Sequence, residues 1–300
     1  MKREPGELLA DWLPPERGMR SVMAHRLDAT SIAPAQEGCW VVEEQALRVE
    51  VRDVGHYTLM CTPTGSDQAA GYLPQDGLLG EGGEPGVLAL AAGFLLTEGL
   101  IDAIGDVASL AVCPDSANVV QVRLVDPARA HSTRRSGVVA SSCGMCGNIE
   151  GLVELGAADG RVSDTLRLHA AQVHQHMQTM RARQAIFART GGTHAAALFD
   201  VCGTLLALAE DLGRHNALDK VIGHCLLHGV PSAGGCVLLS GRVSLEMVTK
   251  AARAGIELLA AVSAPSSMAI DAARRVGITL CGFVRDDRLT AFTHPERLRA

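Results

Sequence analysis

"CVLLSGRVSLEMVTKAARAGIELLAAVSAPSSMAIDAARRVGITLCGFV", residues 236–284, alternates short apolar runs with longer amphipathic ones. "CVLLS", "IELLAAVS" and "ITLCGFV" are brief, rich in Val, Ile and Leu, and bounded by Gly, Pro or Ser, which reads as buried strands. "SLEMVTKAARAG" and "PSSMAIDAARRVG" open on Ser or Pro and close on Gly, the punctuation of helices. Strands that are apolar throughout and joined by helices imply a largely parallel sheet covered on both faces.

Working outward, "GRHNALDKVIGHCLLHG" adds a helix on the N-terminal side, preceded by strands "HAAALFD" and "TLLALAED" around a turn at Val201–Gly203. Before them, "LHAAQVHQHMQTMRARQAIFA" reads as one helix ending before Gly191-Gly192; His169, His174 and His176 lie on it at spacings that do not put all three on one face, and they read as solvated residues. On the C-terminal side a last short strand falls near "LTAFT". Nearer the start, "CWVVEEQALRVEVRD" and "HYTLMCTPT" carry three strands, "VLALAAGFLLTEGL" a buried helix stopped at Gly99, and "VASLAVCP" with "VVQVRLV" a hairpin. Residues 65–86 are dense in Gly and Pro and read as a long surface loop. The expected organisation is a flexible arm over 1–37, a small α/β domain over 38–136, and a larger α/β domain over 137–300.

The chain has 300 residues, 47% of them hydrophobic and 20% charged, enough for cores of real size. A formal charge of −6 gives no electrostatic footprint for nucleic acid. No run approaches a membrane span or a signal peptide, so a cytoplasmic protein is expected. Nine cysteines, scattered singly apart from Cys143 and Cys146, fit reduced thiols. Cys202, Cys225, Cys236 and Cys281 lie in apolar stretches and read as core or half-buried thiols.

In an open α/β sheet, ligands collect where strands end and helices begin. Here those junctions are "AEDLGRHN" (209–216), "LSGRVSLE" (239–246) and "VSAPSSMA" (262–269). Helix N-termini favour anions, and Arg214 and Arg242 can add bidentate phosphate contacts. Ser240, Ser244 and Ser266 are equally good N-caps, so each junction alone also reads as capping. Together the junctions read as an anion site, with His194 and His215 standing on the same rim. Lys220 and Lys250, one or two turns into their helices, read as structural or surface residues.

"SSCGMCG" (141–147) carries the Cys143-x-x-Cys146 pair between glycines. The spacing alone is compatible with half a metal site, a redox pair or a carrier thiol. No second close Cys pair exists, so neither structural nor catalytic zinc is expected.

The ordered set "GFLLTEGLI" (93–101), "SSCGMCG", "TGGTHAAAL" (190–198), "EDLGRHNALDKVIG" (210–223), "SGRVSLEMVTKAARAGI" (240–256), "VSAPSSMAI" (262–270) and "GFVRDDR" (282–288) resembles the FdhD family over roughly residues 40–298. The resemblance implies a C-terminal cytidine-deaminase-like three-layer α/β/α domain with a mixed sheet, in a protein that is usually a homodimer. It implies a sulfur carrier, or sulfurtransferase, that takes persulfide sulfur from a cysteine desulfurase. The sulfur would be delivered to the molybdenum cofactor, bis-molybdopterin guanine dinucleotide, as formate dehydrogenase activity requires. By position, Cys143 is then the persulfide carrier and Cys146 its partner, while Phe283, Val284, Arg285, Asp286, Asp287 and Arg288 contact the cofactor. Asp286-Asp287 stand where small residues are common in the family, which puts the weight of binding on Arg285 and Arg288. Two other readings fit the thiol pair: a thiol–disulfide oxidoreductase, or a chaperone that binds the cofactor without chemistry.

Overall fold

A computed structural model describes residues 17–27, 35–65, 70–80, 84–133, 137–139 and 161–299. Its centre is a six-stranded mixed sheet with the order β12-β11-β13-β14-β15-β16. These strands are β11 (His194–Phe199), β12 (Leu205–Asp211), β13 (Cys236–Leu239), β14 (Leu258–Ala261), β15 (Thr279–Arg285) and β16 (Arg288–Ala291). β13, β14 and β15 run parallel; β11 is antiparallel to both β12 and β13, and β16 to β15.

Alternate residues along each strand serve two separate cores, as the pleat requires. Val237 and Leu239 face one apolar cluster, while Cys236 and Leu238 face the other. The second cluster is closed by Val173, Met177 and Met180 of the helix α2 (Ala170–Ala182). The first is closed by three helices: α4 (Arg214–Leu227), α5 (Leu245–Arg253) and α6 (Ser267–Val276). In α6, Ala269, Ala272, Ala273 and Val276 are buried, one stripe at helical spacing. The expected two-sided sheet between helices is present and mixed, as the resemblance implied, but it is not largely parallel: β13–β14 and β14–β15 are parallel, whereas the β11–β12 and β15–β16 hairpins and the β11–β13 pairing are antiparallel.

A seven-stranded sheet lies on the far side of α4, in the order β6-β5-β7-β8-β3-β4-β9. Its strands are β3 (Gln45–Val51), β4 (Gly55–Cys61), β5 (Gly71–Leu73), β6 (Gly77–Leu79), β7 (Val107–Cys113), β8 (Ser116–Leu124) and β9 (Gly137–Val139). β9 pairs with β4, three residues past the expected boundary at 136. Leu47, Val49, Val51, Tyr57, Leu59 and Cys61 alternate onto the same apolar cluster that α4, α5 and α6 close. Among the described residues, one core thus runs through both halves of the chain.

The helix α1 (Gly86–Thr97) is what joins them. All of its residues are buried, the pattern of a helix enclosed on every side. It crosses α4 at two glycines: a Cβ on Gly93 would fall onto the Asp219 carbonyl, and a Cβ on Gly223 onto that of Ala89. Lys250 of α5 fastens the crossing, reaching Asp219 at 2.9 Å, Glu98 at 3.1 Å and the Thr97 hydroxyl at 2.9 Å. Burial alone would lower the Lys250 ammonium, but the carboxylates of Asp219, Glu98 and Glu246 outweigh it and hold the group above its ordinary value. Lys250 is structural, as its position in the helix suggested.

Several expectations need correction. The arm is not featureless: β1 (Met19–Arg26) pairs along its length with β2 (Ala35–Val42) in a separate ribbon. The loop at 65–86 contains the β5–β6 hairpin, and Ala70, Gly71 and Tyr72 are buried. The helix expected to run to Gly191 breaks at Arg183 into α2 and α3 (Ala185–Thr190). The buried Glu210 carboxylate causes the break, accepting hydrogen bonds from the Ile186 and Phe187 amides at 2.9 and 2.8 Å. His176 is not solvated but buried, stacked on Phe199 with ring centroids 4.2 Å apart. Cys202 is exposed in the β11–β12 turn, because the apolar run around it is interrupted by a tight turn closed on the Asp200 carboxylate.

Gly223→Ala is expected to lower stability by at least about 3 kcal/mol, because the added methyl meets backbone that cannot swing away. Urea unfolding followed by circular dichroism measures it; an unchanged midpoint would show that the helices do not cross this closely.

Candidate active site

The carboxyl ends of β12, β13, β14 and β15 and the start of β11 all reach the same edge of the six-stranded sheet. The N-termini of α4, α5 and α6 open there too, since each helix follows directly on one of these strands. The three junctions read from the sequence are therefore neighbours in space. An isolated parallel bridge between Val243 and Pro265 ties the second junction to the third.

His194 begins β11 opposite Asp211, the last residue of β12. Its Nδ1 lies 3.3 Å from the Ser240 hydroxyl, which itself accepts the Ala195 amide at 2.8 Å. The hydroxyl can donate to Nδ1 while it accepts that amide, an arrangement that puts the proton of a neutral ring on Nε2. Gly241 lets the chain pass close by: a Cβ there would stand 3.1 Å from His194 Nδ1 and 3.6 Å from Arg214 Cδ. Burial, then the charges of Arg214 and Arg242, push the His194 imidazole below its ordinary value, with Asp211 acting the other way. Arg214 is lowered likewise by burial and by Arg242. Its Nε is buried with no hydrogen-bond partner among the described residues. Two guanidinium groups and a neutral imidazole so converge where positive charge is in excess, and an anion would relieve the strain.

His215, one residue into α4, is buried and places Nε2 3.3 Å from the Ser244 hydroxyl and 3.4 Å from Glu246. Of the serines read as caps, only Ser266 caps its helix with its side chain, accepting the Ala269 amide at 3.2 Å. Ser244 stands at the N-cap of α5 but turns to His215, and Ser240 holds His194. Gly191 is the left-handed C-cap of α3, φ +64°, and Gly192 packs against Val42, so the glycine pair shapes backbone here.

Phe283, Arg285, Asp286, Asp287 and Arg288 are exposed at the β15–β16 end of the rim. The ladder between β15 and β16 slips between Gly282 and Arg285, and Phe283 takes a left-handed φ of +54° there. That conformation is costly for a bulky residue and marks a place where position matters more than local comfort. Its amide reaches the Ser263 carbonyl at 3.3 Å, and Arg285 lies 6.0 Å from its ring centroid. Val284, by contrast, turns its side chain wholly into the apolar cluster beneath the sheet, which leaves only its backbone for contact.

Cys143 and Cys146 lie outside the described residues. Among the other cysteines, burial raises the thiols of Cys61, Cys225 and Cys281 to about 12, and Cys236 is pushed well above its ordinary value. These four are protonated core groups and cannot serve as nucleophiles. Cys202 is exposed but sits at the opposite end of the strands from the rim.

The sequence reading missed what positions the rim. Asp211 is fully buried and accepts four donors: the Thr62 amide at 3.0 Å, Lys220 at 2.8 Å, the Gly213 amide at 2.9 Å and Asn216 at 2.9 Å. An Asp two residues before the N-cap Gly of a helix was a visible signal, but its Thr62 partner lies 149 residues away in sequence.

The FdhD/NarQ family model matches residues 86–299. A protein of Bordetella bronchiseptica named sulfur carrier protein FdhD is 35% identical over 294 residues, covering 97% of each chain. A protein of the same name from Thermoplasma acidophilum is 40% identical over 213 residues, 70% of this chain and 74% of that one. A crystal structure of a proposed formate dehydrogenase accessory protein from Desulfotalea psychrophila aligns with a TM-score of 0.68 over 93% of this chain and 99% of that one, at 23% identity, which speaks for the fold. With the matched segment covering both the α1–α4 crossing and the whole rim, the chain belongs to the FdhD/NarQ family.

Proposed function

We propose that this protein is a sulfur carrier for formate dehydrogenase, loading sulfur on Cys143 and delivering it to a molybdopterin guanine dinucleotide held along the rim. The name shared by its relatives supports the sulfur chemistry. The observation that supports the ligand is the cationic cluster of Arg214, Arg242 and His194, in which the Arg214 Nε is buried without a hydrogen-bond partner among the described residues.

The placement of the two clusters supports an extended ligand. Arg214 reaches the end of β13, its Cδ close to Gly241, while Phe283 sits in β15 with its amide on Ser263. A guanine dinucleotide laid along these strand ends would set its phosphates near Arg214 and Arg242 and a flat ring near Phe283 and Arg285. The opposite assignment of the two ends is compatible with the same residues, and binding of each half alone distinguishes them.

In the loading step the Cys143 thiolate attacks the terminal sulfur of the persulfide on a cysteine desulfurase. The donor's S–S bond breaks, its cysteine leaves as a thiolate, and Cys143 carries the new persulfide. For delivery, the Cys146 thiolate attacks the Cys143 sulfur. That closes a Cys143–Cys146 disulfide and releases hydrosulfide toward the molybdenum centre, the pair supplying both electrons. A later dithiol exchange reopens the disulfide. A purely redox role for the pair would make the two thiols equivalent, and a pure chaperone would need neither.

Incubation with a cysteine desulfurase and cysteine is expected to add about 32 Da to the peptide containing 143 and 146, the mark of persulfidation. Cys143→Ala should abolish the gain and Cys146→Ala should keep it; equal loss in both would favour the oxidoreductase.

Calorimetry with GDP tests the rim: Arg242→Ala and Arg285→Ala are each expected to weaken binding by about 1.5–3 kcal/mol, the worth of a charged hydrogen bond. Unchanged affinity would remove that arginine from the site.

Neutralising the two arginines with a bound phosphate should also raise the His194 imidazole toward its ordinary value, because their charge is part of what holds it down. An NMR pH titration with and without GDP reads this, and a His194 curve that does not move would place the phosphates elsewhere.

A further inference from the structure

At the far end of α4 from the rim, His224 and the C-cap residue His228 stand one helical turn apart. Their rings are 4.3 Å apart at 41°. Both point at one oxygen of Glu84: His224 Nδ1 lies 2.7 Å and His228 Nε2 3.0 Å from Oε2. The Glu84 side chain is only 1% exposed, and its second oxygen is buried without a hydrogen-bond partner among the described residues. A carboxylate desolvated this far, with one oxygen shared by two imidazoles and the other bare, is poorly served by hydrogen bonding alone. Nothing in the sulfur chemistry uses these residues.

We propose that Glu84, His224 and His228 form a binding site for one divalent transition-metal ion, of which zinc fits the ligand set best. Two imidazoles and a carboxylate are borderline ligands that suit zinc better than calcium or magnesium, which prefer all-oxygen shells. Ligands around a tetrahedral ion with bonds of ~2.0 Å stand about 3.3 Å apart, so the two carboxylate–imidazole contacts need to open by only a few tenths of an ångström, and all three ligand atoms already lie within 4.8 Å of one another. His228 is 37% exposed, which leaves a side for the ion to enter and for a water to complete the shell. Cys225, in the same turn, is buried, and its sulfur does not lie with the three ligand atoms that come within 4.8 Å of one another.

Binding would move protons, not electrons. His224 Nδ1 and His228 Nε2 each present a lone pair to the ion, so each ring carries its remaining proton on the other nitrogen. Acid competes with the ion for those lone pairs, so affinity falls as the pH drops. Glu84 immediately precedes Pro85, the N-cap of α1, which bridges to Gly65. The ion would therefore pin the entry of α1 to the exit of α4, a structural clamp on the two crossed helices. The expectation of no structural metal weighed the cysteine pair and His215; this site rests instead on the His-x-x-x-His spacing at 224 and 228.

The test uses the full chain carrying Cys143→Ser and Cys146→Ser, so that those thiols cannot hold zinc. Metal-stripped protein is titrated with zinc against a chromophoric chelator, and separately with cobalt. The expected result is one zinc per chain, a cobalt spectrum without thiolate charge transfer, and a rise in Tm with zinc. His228→Ala, at a half-exposed position that tolerates truncation, should weaken binding at least about tenfold and abolish the Tm rise. Glu84→Gln gives a second reading if it folds. Absence of stoichiometric zinc binding, or zinc held equally well by His228→Ala, overturns the proposal.

Discussion

The Asp211–Lys220 pair is the constraint on which the rim depends. Both groups are buried, at 2.8 Å, and both are saturated by backbone and side-chain partners drawn from β4, β12 and α4. Lys220 also donates to the Thr62 carbonyl at 2.8 Å, and the Thr62 hydroxyl accepts the Leu212 amide at 3.0 Å. The end of β4 in the seven-stranded sheet is thereby stitched to the turn that launches α4. Stripping one partner from such a pair costs about 3–5 kcal/mol, because the other charge is left buried alone. The direction in which Arg214 and His215 leave that turn is thus set by the other half of the chain.

A second buried network does the same job lower in the helices. Gly93 and Gly223 let α1 and α4 approach until backbone meets backbone, which no larger residue would permit. Close approach removes the room for side chains that would hold the angle between helices. Lys250 supplies the missing specificity by bonding to Asp219, Glu98 and Thr97 at once. The apolar cluster makes the crossing favourable, and the charged contacts make it one crossing among many that an apolar surface alone would allow.

The six-stranded sheet was legible because its strands and helices each carry their own period and end on Ser, Pro or Gly. That the three strand-to-helix junctions share one edge was legible because strand ends and helix starts can be paired from the chain order alone. What escaped was decided at a distance. The break between α2 and α3 is set by Glu210, whose carboxylate draws the Ile186 and Phe187 amides away from a continuous helix. β5 and β6 are three residues each, too short to show a period. β1 buries few of its side chains and so has no alternation to read. The burial of His176 follows from Phe199 lying beneath it, a contact invisible in either segment.

An acidic chain with a cationic rim poses an electrostatic question that the carboxylates answer. At −6 overall, the global field mildly repels an anion. Asp211, the carboxylate closest in sequence to Arg214, could have neutralised the pocket. It instead points inward, its two oxygens consumed by two backbone amides, Asn216 and Lys220. Glu210 is spent in the same way on Ile186, Phe187 and Thr193. Glu246 does act on Arg214, but it also shares His215. Inward-facing acids therefore build the rim's backbone without cancelling its surface, and Arg214 and Arg242 are left to repel each other across His194. That repulsion is tolerable only while water or an incoming anion screens it, so the same buried carboxylates that fix the fold also keep the site in want of negative charge.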